Sequence, residues 1–164
     1  MYQLEIANQQ DLLTISETEL ERIVYLLLND EQVAEAEISL VLVDNPTLRE
    51  LNIQYLNHDY DTDVLSFLLE EQQLEEIESS RRGAGKRIEG ELIISTEMAL
   101  ESAPEYGWSA ENEFILYVIH GILHLLGYDD LSDEERVLMR EREQEVLKLC
   151  GIEPPTSTSN SPND

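Results

Sequence analysis

Basic side chains are scarce in this chain: ten lysines and arginines stand against thirty-six aspartates and glutamates, a formal net charge of −26 over 164 residues. Such a field favours solubility and repels polyanions at long range. Composition alone therefore excludes a nucleic-acid partner, unless a local basic patch or bridging divalent cations bring it in. Cysteine is nearly absent. Cys150 has no partner for an intrachain disulfide, which excludes a disulfide scaffold and fits a reducing, cytoplasmic setting. The first residues, MYQLEIANQQ, lack a basic segment followed by an apolar one, so no secretory signal is expected. No internal repeat is visible. The most apolar stretch, Phe114 to Tyr128, is shorter than the roughly 20 residues a bilayer requires. It also carries two histidines, so it reads as a buried core helix, and no membrane partner is expected.

What remains is ordinary globular composition, 41% apolar and 28% charged, in one domain's worth of chain. One domain is expected over residues 1–153. The remainder, 154–164, is rich in Pro, Ser, Thr and Asn and is expected to be disordered. Tyr2 to Ala7 alternates weakly as a strand. Ser16 and Glu19 have capping-box spacing and open a helix to Leu28. Ala36 to Val43 is a strand by its β-branched, apolar content. Asn45-Pro46 reads as an N-cap followed by an N1 proline, opening a helix to Leu56. Val64 to Leu68 and Gly90 to Ser95 are short strands, with a polar loop from Glu70 to Lys86 between them. Thr96 to Glu105 is helical. Ser109 caps the next helix, which runs to Leu126, where Gly127 stops it. Ser132 and Glu135 form a second capping box, opening a last helix to about Leu149. The predicted fold is α+β (mixed α/β), a small mixed sheet of about four strands packed with several helices.

Chemistry concentrates in one short run. Of only three histidines, two sit four residues apart, His120 and His124. On a helix that spacing sets both imidazoles on one face, about one turn apart. Two nitrogens so placed can share one ion at about 2.0–2.1 Å. Gly127 lets the chain reverse, and Asp130 can return as a third, oxygen ligand. Asp129 is a rival for that place, or a cap for the following helix. Three protein ligands with an open fourth position describe a catalytic zinc site, whereas structural sites are closed by four. Without a metal, the pair reads as two core histidines bonded to backbone.

The run HGILHLLGYDD at 120–130 resembles the signature of the YbeY family of bacterial endoribonucleases and ribosomal RNA maturation factors. The resemblance extends to LNIQYLNHDYDTDVLSF at 51–67, to GELIIS at 90–95, and to Met139 and the acidic last helix ending at Gly151. It covers roughly residues 40–151. It implies a zincin-like fold and one Zn2+ ion, or another divalent transition metal, on His120, His124 and Asp130. It also implies cleavage of single-stranded RNA, notably in maturing the 3′ end of small-subunit ribosomal RNA and in ribosome quality control. Small-subunit ribosomal proteins are further partners it allows, and an acidic surface suits them.

Two departures from the family pattern bear on activity. Its third ligand is usually histidine, where this chain has Asp130, a competent but charged donor that lowers the ion's Lewis acidity. Leu56 stands where many members carry an arginine thought to aid cleavage. His58, two residues on, can substitute as a cationic or hydrogen-bonding group, or be an ordinary surface histidine. Ser66 can contact substrate or be satisfied within its strand. Thr62 and Asp63 can line the cleft or form a turn. Glu91 can support a ligand histidine or simply be exposed. The basic cluster Arg81, Arg82, Lys86 and Arg87 is the expected contact for a phosphate backbone, its bland alternative being a solvated loop. Zinc proteases carry a glutamate after the first histidine; here that position is Gly121, which disfavours peptide hydrolysis. RNA brings its own nucleophile, the 2′-OH, and the sequence leaves open whether water or that hydroxyl attacks. A ribosome-assembly factor with a mainly structural metal is the competing reading.

Overall fold

The computed structural model describes residues 1–56 and 63–154, so the expectations for His58, Thr62 and the tail beyond 154 fall outside it. Among the described residues the order is β1 (Tyr2–Asn8), α1 (Glu17–Asp30), β2 (Glu35–Val43), α2 (Asn45–Leu56), β3 (Val64–Gln73), β4 (Lys86–Ser95), α3 (Thr96–Tyr106), α4 (Ala110–Leu125) and α5 (Asp133–Leu149). The sheet order is β1-β2-β4-β3. β1 and β4 run parallel to β2 on either side, and β3 pairs antiparallel with β4. This is the expected mixed α+β architecture.

Strand alternation divides the core between two faces. Ala36, Ile38, Leu40 and Leu42 of β2 and Ile88, Leu92 and Ile94 of β4 join the main cluster with α1, α4 and α5. The opposite parity, Val43, Leu65 and Ile93, packs with Leu48 of α2 in a smaller cluster. Residues of even number on β4 therefore face α4, and those of odd number face away from it.

Helix starts follow the sequence closely. Ser16, Ser109 and Ser132 each accept the backbone N–H three residues on, at 3.2, 3.1 and 3.1 Å. The start of α2 differs from expectation. Asp44 is its cap, its Oδ1 accepting Thr47 N–H at 3.0 Å, and Asn45 is already helical, with its own N–H held by Glu97 at 2.9 Å. The other difference is the hairpin. β3 continues past an irregularity at Leu68/Glu70 to Gln73, and β4 begins at Lys86, so the expected loop shrinks to residues 74–85. The polar EEQQ segment hides this strand from composition; it is held by pairing with β4 and by the Lys86–Glu71 ion pair at 2.8 Å. Lys86 and Arg87 are thus strand residues.

Candidate metal centre

Helix α4 is the most deeply set element near the site. From Glu113 to its end, every residue is buried except Leu116, His120 and His124, a stripe at four-residue spacing that leaves the two imidazoles the one open edge of an apolar rod. Gly121 makes the close seating against the sheet feasible. A Cβ there would meet Leu92 Cδ2 at 2.9 Å and Ser66 Oγ at 3.2 Å, so the protease-type glutamate has no room at this position. Ser66 Oγ donates to the Gly121 carbonyl at 3.3 Å, which is the local satisfaction its sequence context allowed.

The helix ends in a Schellman turn. Gly127 takes φ +107°, its N–H bonds to His124 O at 3.1 Å, and Tyr128 N–H bonds to Leu123 O at 3.1 Å. That reversal buries Tyr128 and returns the chain toward the histidines. Asp129 accepts Leu131 N–H at 3.0 Å and shapes the turn, whereas Asp130 brings a carboxylate oxygen to the imidazoles. Ligand atoms of His120, His124 and Asp130 all lie within 4.8 Å of one another, and among the described residues no fourth protein donor joins them.

Whether these side chains fit an ion can be judged from the ring nitrogens. His120 Nε2 and His124 Nε2 approach to 3.1 Å. Two nitrogens on one tetrahedral zinc stand about 3.3 Å apart, given bond lengths of about 2.0–2.1 Å. Glu143, from α5, takes His120 Nδ1 at 2.5 Å, which assigns the ring proton to Nδ1 and leaves the Nε2 lone pair facing its neighbour. The His120 Nε2 lone pair, the His124 ring nitrogen beside it and the Asp130 carboxylate are donors that one cation can share. The donor set fits a zinc-like ion, with an outer carboxylate orienting one ligand.

Burial alone would push the His120 pKa down, but the Glu143 hydrogen bond and charge, with Asp63 and Asp130 nearby, hold it above its ordinary value. His124 goes the other way, lowered by burial and by His120. Burial raises the Asp63 carboxyl, partly offset by His120, so Asp63 stands within electrostatic reach of the centre. Glu91, as an odd-numbered β4 residue, projects from the sheet face opposite α4, and the carboxylate on a ligand histidine is Glu143 instead. Sequence spacing could not reveal Glu143, twenty-three residues from its partner. Met139 is simply core.

The basic cluster is brought together only in part. Arg87 lies on the far face of the sheet, paired with Glu89 at 2.7 Å and Glu35 at 3.3 Å. Arg81 meets Asp30 and Glu145 at 3.7 and 3.8 Å. Arg82 reaches the turn after α4, donating to Gly127 O at 2.9 Å and to Glu135 at 3.0 Å. Carboxylates thus compensate all four cations.

Two imidazoles and one carboxylate, on a buried helix and the turn behind it, are the donor set of catalytic rather than structural single-metal sites. The family description "Endoribonuclease YbeY" matches residues 5–151. An Endoribonuclease YbeY of Carboxydothermus hydrogenoformans is 40% identical over 152 residues, spanning 91% of this chain and 98% of that one. Its counterpart in Salinibacter ruber is 44% identical over 117 residues, 71% and 72% of the two chains. A solution structure of TM1509 from Thermotoga maritima superposes with a TM-score of 0.55 at 25% identity, covering 91% of each chain. The chain belongs to the YbeY family.

Proposed function

We propose that this protein is a zinc-dependent endoribonuclease of the cytoplasm, cutting single-stranded RNA in maturation of the small-subunit ribosomal RNA 3′ end and in ribosome quality control. The convergence of His120, His124 and Asp130 with no fourth protein donor among the described residues carries the reading. Bound there, the ion supplies Lewis acidity toward a phosphoryl oxygen. Glu143 keeps His120 in the tautomer that presents Nε2, and the closed Schellman turn delivers Asp130. Gly121 leaves no general base at the position zinc proteases use, which is tolerable for a substrate that carries its own 2′-hydroxyl.

Phosphate contact by Arg81 and Lys86 requires exchange of their carboxylate partners, and no helix of the described residues is long and apolar enough to cross a membrane. His58 is a further candidate as a cationic or hydrogen-bonding group; its test is RNA cleavage with metal content held equal after His58→Ala.

The deciding experiment is metal stoichiometry by mass spectrometry together with cleavage of single-stranded RNA, beside a His120→Ala control. One ion per chain and cleavage that vanishes in the control are expected. Full metal without cleavage would favour an assembly factor. Cleavage surviving in His120→Ala would mark a contaminant.

A further inference from the structure

The turn that carries Asp130 is gripped by a network the catalytic reading does not use. Glu31, at the end of α1, is fully buried. One of its oxygens accepts Gly83 N–H at 3.1 Å; the other accepts Tyr128 OH at 2.7 Å and Arg142 Nε at 2.9 Å. A single carboxylate so joins α1, the 74–85 loop, the ligand turn and α5. On the outer side of the same turn lies Arg82. Its Nη1 donates to Gly127 O at 2.9 Å, its Nη2 to Glu135 at 3.0 Å, and its guanidinium stands 5.0 Å from the Tyr128 ring centre. Arg82 N–H also approaches Tyr128 OH at 3.4 Å. Further along, Arg136 Nη1 donates to Asp130 O at 3.0 Å.

We propose that Arg82 is a positioning residue of the metal centre, clamping the Gly127–Tyr128 turn so that Asp130 is presented as third ligand, rather than a contact for RNA. This rests on the metal-site reading above. The histidines have their spacing fixed by a rigid helix, with Glu143 orienting one ring. Asp130 has only a turn beneath it, and a turn held by hydrogen bonds at Gly127 and Tyr128 loses less freedom when the ion binds. Outer partners of metal ligands typically set affinity by about 10–100-fold. Three contacts commit the Arg82 guanidinium, with Glu135 matching its charge. Arg81 is the natural control, since it has the same charge on the same loop but among the described residues its guanidinium pairs with Asp30 and Glu145 rather than with the turn.

The test titrates cobalt(II) into metal-free full-length protein, reading the visible d–d band and the dissociation constant by chelator competition. Arg82→Gln is expected to weaken binding about tenfold and to change the band intensity, because the third ligand is lost or loosened. Arg82→Lys, which keeps one donor and the charge, should fall between wild type and Arg82→Gln, and it decides the matter if Arg82→Gln does not fold. Arg81→Gln should bind as wild type. Equal constants and spectra for the Arg82 and Arg81 variants overturn the proposal, as does weakened RNA binding in Arg82→Gln with cobalt affinity intact. Wild-type protein that takes up no cobalt overturns the metal-site reading itself, a result distinct from either.

Discussion

Helix α4 and the turn that follows it contribute to the same centre by opposite means. In α4 the two candidate ligands are placed by a four-residue interval on a rod buried on every face but one, with Glu143 orienting one ring. In the turn, Asp130 is placed by contacts from residues far away in sequence, Glu31 and Arg82, and by Arg136 six residues on. The first kind of ligand survives most changes elsewhere in the molecule, whereas the second depends on them. Affinity should therefore be most sensitive at the helix itself and most adjustable at the turn.

The largest effect is expected at the helix. His120→Ala should abolish stoichiometric metal and reduce RNA cleavage by more than the roughly 10–100-fold that loss of an outer partner costs; retained metal would break the comparison at its root. Next comes Glu31→Gln. Glu31 and Arg142 are both buried and lie 2.7 Å apart, and breaking such a pair costs about 3–5 kcal/mol. Asp30 also holds Arg142, at 2.8 Å, so the lower end of that range is expected in a denaturant melt of the metal-free protein. A loss below about 1 kcal/mol would show that the turn does not depend on this carboxylate. Glu143→Gln should weaken zinc about tenfold, measured by chelator competition, because it leaves both histidines in place but removes the carboxylate that orients one of them.

The pH dependence sharpens the contrast further. His120 is raised above its ordinary value of 6.5. In metal-free protein the imidazolium–Glu143 contact stabilises the fold fully below that unfolded value and is lost as pH rises through the higher folded one. His124 is lowered, so its contribution is present above 6.5 and fades as pH falls through its folded value. Zinc requires both rings neutral, so its stabilisation grows as pH climbs past the folded His120 value. Melting curves of metal-free and zinc-loaded protein above pH 6.5 should diverge, the first falling and the second rising; parallel curves would contradict the assignment of His120. The smallest effect is expected from Asp130→His. Removing the ligand's charge should raise cleavage near neutral pH severalfold at equal metal content; lower cleavage would mean that the carboxylate itself takes part.

The same contrast explains what could be read from sequence. The strands, the serine caps, Gly127 and the histidine pair are local patterns, visible within a few residues, and they reappear with small shifts at their ends. Local sequence marks β3 only to Leu68, because its outer half, EEQQ, is polar and held by cross-strand pairing. Asp44 is masked as a cap because Asn45-Pro46 offers an equally good local signal one residue later. Glu143 and Glu31 were invisible for a different reason. In a chain with so many carboxylates nothing local distinguishes a buried one, and only tertiary placement gives it a task.

The pairing of the arginines and Lys86 with neighbouring carboxylates bears on how RNA gains access. With positive charge neutralised internally, the outward field stays strongly negative, and an approaching polyanion meets repulsion that dissolved ions must mask. Most RNA-binding proteins lose grip as salt is added, since they displace counterions from the strand. Here moderate magnesium or monovalent salt should speed encounter before it slows it, giving a cleavage rate with a maximum rather than a monotonic decline.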